Sequence, residues 1–102
     1  MSMYKYYNSL IRDWARERGL LANGKKITQA IKTMEECTEL LDAVNKNDEH
    51  AIIDAIGDIY VTLLIQCELN NVSMTKCIDA AYNEIKDRKG YLTPEGMFVK
   101  NG

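Results

Sequence analysis

The chain has 102 residues, 46% hydrophobic and 27% charged, a composition typical of a folded globular protein and not of a disordered one. Its formal net charge of −2, from 13 basic and 15 acidic residues, argues against the basic surfaces that bind long nucleic acid or anionic membranes. We therefore expect one domain spanning residues 1–102, with no long nucleic acid and no membrane among its partners.

The cysteines and the apolar segments bear on the compartment. Cys37, Cys67 and Cys77 are an odd number without CxxC spacing, so they predict neither a disulfide framework nor a zinc site. The N-terminal segment is too polar for a signal peptide. The longest apolar run is interrupted by Asp58 and falls short of a membrane span. These features favour a cytoplasmic protein.

Four segments have apolar residues at helical spacing, and proline occurs only once, at Pro94. The first predicted helix runs over about residues 4–20 and the second over about 27–44. The third begins after residue 47 or 48 and reaches about 69, and the fourth runs from a cap at Ser73 to about 89. The segment 90–102 is predicted to be non-helical. The fold class is all-α: a four-helix antiparallel bundle-like domain with a short C-terminal extended or hairpin tail.

Two carboxylates interrupt the apolar third helix. Asp54 and Asp58 are four residues apart and project to almost the same side, where Val61 and Ile65 continue the stripe. A buried aspartate pair costs free energy unless a cation, hydrogen-bond donors or a shared proton neutralise it. Alternatively, this side of the helix start faces water, and the helix dipole favours Asp54 there.

The second helix carries the motif "EECTEL", residues 35–40, which places Glu35, Glu36 and Glu39 within an arc of about 100°. By itself this arc is typical of a solvated face, because the apolar residues of the helix lie across from it. The glutamates of this helix alone therefore favour a structural interpretation.

The two helices together favour a metal site. The short "NKND" link, residues 45–48, makes them antiparallel neighbours. Glu39 is nine residues before Asp48 and Asp58 is ten after it, so both acidic groups stand at the same height along the pair. No lysine or arginine lies inside either group. Carboxylate oxygens suit hard cations, so the sequence predicts Mg²⁺, with Mn²⁺ as an alternative.

These motifs resemble those of the MazG-like nucleotide pyrophosphohydrolases, the all-α NTP pyrophosphatase superfamily. The family pattern EExxE followed by ExxD corresponds to "EECTEL" and "DAIGDIYVTLL", and the likeness extends over most of the chain. The resemblance implies Mg²⁺-dependent hydrolysis of a nucleoside or deoxynucleoside triphosphate to monophosphate and pyrophosphate. It also implies a homo-oligomer, a dimer or a tetramer.

The resemblance also implies roles for individual residues. In the strict ExxD register the glutamate falls on Ala55, which cannot bind metal, and Asp54 is the available substitute. Glu35 is either a ligand or the group that orients water. The implied metal ligands are Glu36, Glu39 and Asp58, and Asp54 is added because it lies on the same side of the helix as Asp58. The implied catalytic residues are Glu35 and Glu36.

For the substrate, Trp14 is a stacking platform for the base, although a lone tryptophan is more often part of a core. Lys32 either pairs with a carboxylate or reaches a phosphate. The family places an asparagine, a lysine and an arginine near "YNEIKDRKG", residues 82–90, where a basic helix C-terminus favoured by the dipole is an equally good explanation. The predicted substrate-binding residues are Trp14, Lys32, Asn83, Lys86, Arg88 and Lys89.

Two other functions stay open. One is a phosphoribosyl-ATP pyrophosphohydrolase-like activity, which the same helical plan would support. The other is a non-catalytic helical interaction module, which Ala55 favours because it removes a motif carboxylate.

Overall fold

The structure, a computed structural model, describes residues 2–102 of the chain. Within these residues it consists almost entirely of helices, which confirms the all-α fold class. The elements are α1 (Met3–Glu17), α2 (Leu20–Asn23), α3 (Lys26–Asn45), α4 (Glu49–Leu69), α5 (Met74–Ile85), β1 (Gly90–Leu92) and β2 (Phe98–Lys100). None of the described helices is long and apolar enough to cross a bilayer.

The chain divides into two compact units. The first ends at Val72 and contains α1 to α4, and the second, Ser73–Gly102, contains α5 and the two strands. Within the first unit, α3 and α4 make the most extensive helix–helix contact, and α1 also packs on α4. The single domain over residues 1–102 stays a prediction.

The first predicted helix, residues 4–20, is too long, because α1 ends at Glu17 and a separate helix, α2, begins at Leu20. α1 is capped by the Ser2 hydroxyl, which accepts a hydrogen bond from Lys5 N at 3.2 Å, and it ends at Glu17. Gly19 then adopts φ = 76°, a left-handed conformation that glycine reaches without a Cβ clash. This residue turns the chain into the single-turn helix α2. Most of α2 lies between the first and second predicted helices, where no helix was expected.

The α3–α4 hairpin has the predicted form, and its helix ends lie within a residue or two of the expected ones. Asp48 caps α4, since its carboxylate accepts a hydrogen bond from Ala51 N at 3.1 Å. Asn47 supplies the left-handed turn at φ = 54°, a conformation that asparagine tolerates better than most residues. Asp48 N also donates to Ala43 O at 3.1 Å, so the short link is held by backbone bonds.

The core of the first unit is small and consists mainly of short side chains. Its buried apolar residues are Ala15, Ala43, Ala55, Leu64, Ile65 and Cys67. Polar contacts fix α1 against α4: the Tyr60 hydroxyl donates to Asn8 Oδ1 at 2.6 Å, and Arg12 forms an ion pair with Glu68. The apolar composition of α4 favours burial, yet Ile53 and Ile56 are exposed in the single chain.

In the second unit, α5 begins as predicted but ends four residues earlier than expected. The Ser73 hydroxyl caps it by accepting from Lys76 N at 3.1 Å. The helix stops at Ile85 because the following residues turn into the hairpin, where the Lys89 carbonyl accepts from Asn101 N at 2.9 Å. Lys89 therefore lies outside α5, whereas Asn83 lies within it and Lys86 is its C-cap residue.

The C-terminal hairpin agrees with the prediction for the tail. β1 and β2 are antiparallel, with Tyr91 opposite Val99. The turn is closed by Thr93 N donating to Met97 O at 2.8 Å and by Gly96 N donating to Thr93 O at 2.9 Å. Gly96 has φ = 86°, which explains the glycine at this point of the turn.

Candidate metal centre and the adjoining pocket

The acidic residues of α3 and α4 meet, as the antiparallel geometry predicts. Glu36, Glu39 and Asp58 each place one carboxylate oxygen within 4.8 Å of the others. We call these three residues the carboxylate cluster. Glu36 is buried, with 8% of its surface exposed, Asp58 is partly buried and Glu39 is exposed. Two opposite oxygens on one Mg²⁺ are about 4 Å apart, so the cluster has the dimensions of a divalent-cation site.

Glu36 has an uncompensated oxygen. Its Oε2 atom is buried and has no hydrogen-bond partner among residues 2–102. Burial, then the neighbouring Glu39 and the charge of Asp58, raises the pKa of the Glu36 carboxyl above its ordinary value. A buried carboxylate oxygen with neither donor nor cation beside it is costly. The orphaned oxygen therefore fits a site that takes a metal ion.

Asp58 is in a similar environment. Burial is the largest cause that raises the pKa of its carboxyl, and the charges of Asp54 and Glu39 raise it further. Asp54 is exposed and is not a member of the carboxylate cluster. It acts on Asp58 from one helical turn away, as a like charge that a bound cation would neutralise.

Lys32 is the cation beside the carboxylate cluster. Its Nζ atom lies 3.2 Å from Glu35 Oε2 and 3.7 Å from Glu36 Oε1. The hydrogen bond and charge of Glu35 raise the pKa of Lys32 above its ordinary value. Glu35 thus lies outside the cluster and pairs with Lys32, both side chains being more than half exposed.

A pocket of about 380 Å³ adjoins the carboxylate cluster and brings predicted residues from three helices together. We call it the tryptophan pocket. It is lined by Trp14, Leu20, Thr28, Gln29, Lys32, Glu36, Asp58, Val61, Thr62 and Ile65. Trp14 is 43% exposed, so it is not the core residue that a lone tryptophan more often is. The Arg18 guanidinium lies 4.5 Å from the centre of its ring.

Sequence reasoning missed the polar residues of this pocket. The Gln29 amide donates to the Thr62 carbonyl at 3.0 Å, and the Thr33 hydroxyl lies 2.9 Å from the Thr62 hydroxyl. The available signal was spacing: Gln29, Thr33 and Glu36 recur on one side of α3, as a face packed on another helix requires. Amide and hydroxyl residues are common on solvated faces, so they did not stand out.

The comparison with protein families decides the assignment. The model of the MazG nucleotide pyrophosphohydrolase domain matches residues 25–93, which include α3, α4 and α5. The chain belongs to this family. The match covers the whole carboxylate cluster and all predicted substrate-binding residues except Trp14.

Two curated relatives of this MazG-family chain carry names that state no activity. One is an 18.2 kDa protein of the rep-hol intergenic region of Haemophilus phage HP1, 39% identical over 62 residues, which are 61% of this chain and 38% of the relative. The other is YabN of Bacillus subtilis, 25% identical over 87 residues, which are 83% of this chain and 18% of the relative. The chain thus spans well under half the length of both relatives. No solved structure matches it significantly.

Ala55, the departure from the MazG motif, is buried beside a second pocket. It stands where the motif has glutamate, is only 4% exposed and lines this pocket, which has a volume of about 220 Å³. Glu39 and Asp54 line the same pocket, so Asp54 is placed beside a cluster member without joining the cluster. The position of the missing glutamate therefore faces the helix pair, and an alanine there leaves space.

The remaining predicted residues lie in the second unit. Asn83 is in the last turn of α5, and Lys86 is its C-cap residue. Arg88 Nη2 lies 3.9 Å from Glu84 Oε1, and Lys89 precedes β1. Their part in substrate binding stays a prediction.

Proposed function

We propose that this MazG-family protein hydrolyses nucleoside or deoxynucleoside triphosphates to the monophosphate and pyrophosphate. The observation that carries the proposal is the buried, unpartnered Glu36 Oε2 beside Glu39 and Asp58, in a pocket that also contains Trp14. Mg²⁺ is the proposed cofactor and Mn²⁺ an alternative, because the donor set is all oxygen. Glu36, Glu39 and Asp58 would hold the ion, with Asp54 as a further ligand.

The chemistry divides among the carboxylates by position. A bound divalent ion would neutralise phosphate oxygens and lower the pKa of a water molecule. Glu35 lies outside the cluster and pairs with Lys32 through Oε2, and we propose that its carboxylate orients that water and takes its proton. The water oxygen attacks the α-phosphorus, the bond to the bridging oxygen breaks, and pyrophosphate leaves. Glu36 contributes as the buried ligand.

Trp14 and Lys32 are the proposed substrate contacts of the first unit. Both line the pocket that Glu36 and Asp58 share. One nucleotide could therefore stack its base on the indole and place its phosphates near the cluster. The ammonium group of Lys32 offers charge to a phosphate oxygen. Asn83, Lys86, Arg88 and Lys89 are proposed as phosphate-binding residues on the family pattern alone.

We also propose a homodimer or homotetramer in the cytoplasm. One side of α3 carries large apolar residues that are at least half exposed in the single chain. We call this side the outer apolar face; it consists of Ile27, Ile31, Met34, Leu41 and Val44. Contiguous apolar surface of this kind is typical of protein interfaces, and a second copy would cover it.

The direct test is pyrophosphate release from a panel of ribo- and deoxyribonucleoside triphosphates with Mg²⁺. We expect release from at least one nucleotide, its loss with a chelator, and its return with Mg²⁺ or Mn²⁺. An Asp58→Asn variant that folds but stays inactive is the matched control. If the protein is a stable oligomer but releases pyrophosphate from none of the nucleotides, the proposal is contradicted and the interaction module is favoured.

A further inference from the structure

The tryptophan pocket has few polar groups with which to recognise a base. Apart from the residues near the carboxylate cluster, its walls are the indole of Trp14, three aliphatic side chains and three polar residues, Thr28, Gln29 and Thr62. Stacking on an aromatic ring tolerates every base, because each base has a π-face. Discrimination between bases must therefore come from a polar group in the wall.

Thr62 is not available for this purpose. It is 5% exposed, and its hydroxyl donates to Ile59 O at 2.7 Å. The same hydroxyl then accepts from Thr33 at 2.9 Å. Its only proton is used, and its oxygen already faces a donor.

Gln29 is half-buried and has a fixed orientation. Its Nε2 atom lies 3.0 Å from the backbone carbonyl of Thr62, on the facing helix. A backbone carbonyl can only accept, so the amide nitrogen and not the amide oxygen must face it. The side chain therefore lines the pocket with its rotamer held by α4, and its carbonyl oxygen and second N–H are the groups it can offer to a ligand.

We infer that Gln29 is a specificity-determining residue for the nucleobase, because it is the polar wall residue whose orientation a bond to α4 fixes while free groups remain. The inference rests on the proposed function, since it names what reads the base of the proposed nucleotide. A base whose edge pairs with the fixed amide is favoured. A base that leaves the half-buried amide unpaired is rejected by about tenfold or more, because an unsatisfied polar group costs more than a hydrogen bond gains.

The test compares nucleotide ranking in wild type, Gln29→Met and Gln29→Asn. Met has a similar length without hydrogen-bonding atoms, and Asn keeps the amide but is one methylene too short to reach both partners. We expect the ratio of kcat/KM between the best and worst nucleoside triphosphate to fall about tenfold in both variants. Inhibition by inorganic pyrophosphate, which has no base, should be unchanged.

Gln66 provides a matched control. Its Nε2 atom donates to the Lys26 carbonyl at 3.0 Å, the same kind of bond between the same two helices, and it does not line the tryptophan pocket. Gln66→Met should lower thermal stability as Gln29→Met does, yet leave the nucleotide ranking unchanged. If Gln29→Met lowers kcat/KM equally for all nucleotides, Gln29 only joins the helices and the inference is wrong.

A binding measurement separates this inference from the proposed function. Trp14 is the only tryptophan in the chain, so its fluorescence reports a ligand in the pocket without any turnover. Titration with nucleoside monophosphates should give dissociation constants that differ between bases, and Gln29→Met should equalise them. Base-dependent binding without hydrolysis would sink the proposed reaction alone. Equal binding of all bases by wild type would overturn the role of Gln29 even if hydrolysis occurs.

Discussion

The helix α3 buries polar side chains and exposes apolar ones, the opposite of an ordinary surface helix. The side packed on α4 buries Glu36 and partly buries Gln29 and Thr33. The outer apolar face, in contrast, leaves its large side chains between 51% and 70% exposed. An ordinary amphipathic helix puts its apolar stripe inside and its charges outside.

Each face carries a cost that something outside the single chain can remove. A buried carboxylate oxygen without a partner is stabilised by a cation, and exposed aliphatic side chains are stabilised by another protein surface. The polar buried face of α3 thus supports the proposed metal centre, and its apolar exposed face supports the proposed homo-oligomer. Changing one face at a time tests the two separately.

The largest effect is expected on the buried face, from Glu36→Gln combined with Glu39→Gln. Losing two of three clustered carboxylates should lower kcat/KM for the best nucleotide by about three orders of magnitude, because several kcal/mol of charge stabilisation is lost with the metal. The same change should raise the metal-free free energy of unfolding by about 1 kcal/mol, since a buried carboxylate whose Oε2 atom has no partner becomes a neutral amide. Calorimetry without metal measures the second quantity.

Opposite signs for activity and stability distinguish a metal site from a structural one. If the double variant were destabilised without metal, the carboxylates would be serving the fold, and the metal centre would lose its main support. A glutamate outside the cluster, Glu17→Gln on α1, is the control for a general effect of charge removal.

On the outer apolar face, Met34→Glu with Leu41→Glu should dissociate the proposed homo-oligomer. Both side chains are more than 60% exposed in the single chain, so the monomer itself loses little packing. A charge buried at an interface costs enough to weaken association by about thirtyfold or more. Light scattering after size exclusion measures the mass. An unchanged mass would show that any partner copy uses a different surface.

The sequence predicted the helix pair and the meeting of its carboxylates well, whereas α3 considered alone favoured the wrong face for packing on α4. The link and the equal heights of Glu39 and Asp58 follow from a rise of 1.5 Å per residue, and the carboxylate cluster is where that geometry places it. Which face of α3 turns inward depends on what covers the other face. A rule that turns apolar residues inward therefore favoured a solvated Glu36, and the structure buries it.

Other parts of the site could not be predicted from local sequence, because contacts with distant residues determine them. The end of α5 is set by the hairpin that follows it, whose pairing brings Asn101 to the carbonyl of Lys89. The orientation of Gln29 depends on a carbonyl of α4, 33 residues away in the chain. Long-range backbone contacts of this kind leave no periodic pattern in a single sequence, whereas clustered carboxylates do.

A third prediction concerns pH and the buried face. Because the pKa values of Glu36 and Asp58 are raised in the folded protein, each group stabilises the metal-free fold fully below its unfolded pKa, near 4.5 and 3.8 respectively. That contribution is lost as the pH rises through the folded pKa. The stability advantage of Glu36→Gln over wild type should therefore be largest at neutral pH and vanish towards pH 4.5, as measured by urea unfolding without metal. An advantage that does not change with pH would contradict the raised pKa.

The smallest effect is expected at the border between the two faces, from Lys32→Met. The ammonium group of Lys32 lies 3.7 Å from Glu36 Oε1, so the substitution removes a positive charge that opposes a bound cation. Mn²⁺ should then bind about two- to fivefold more tightly without nucleotide, the range that an exposed ion pair provides, while KM for the nucleotide should rise because a phosphate loses a cation. Calorimetric titration measures the first and steady-state kinetics the second. Lys46→Met, which removes the 2.8 Å pair with Asp42 outside the cluster, should change neither. Weaker Mn²⁺ binding in Lys32→Met would mean that Lys32 organises the carboxylates and does not compete with the ion for them.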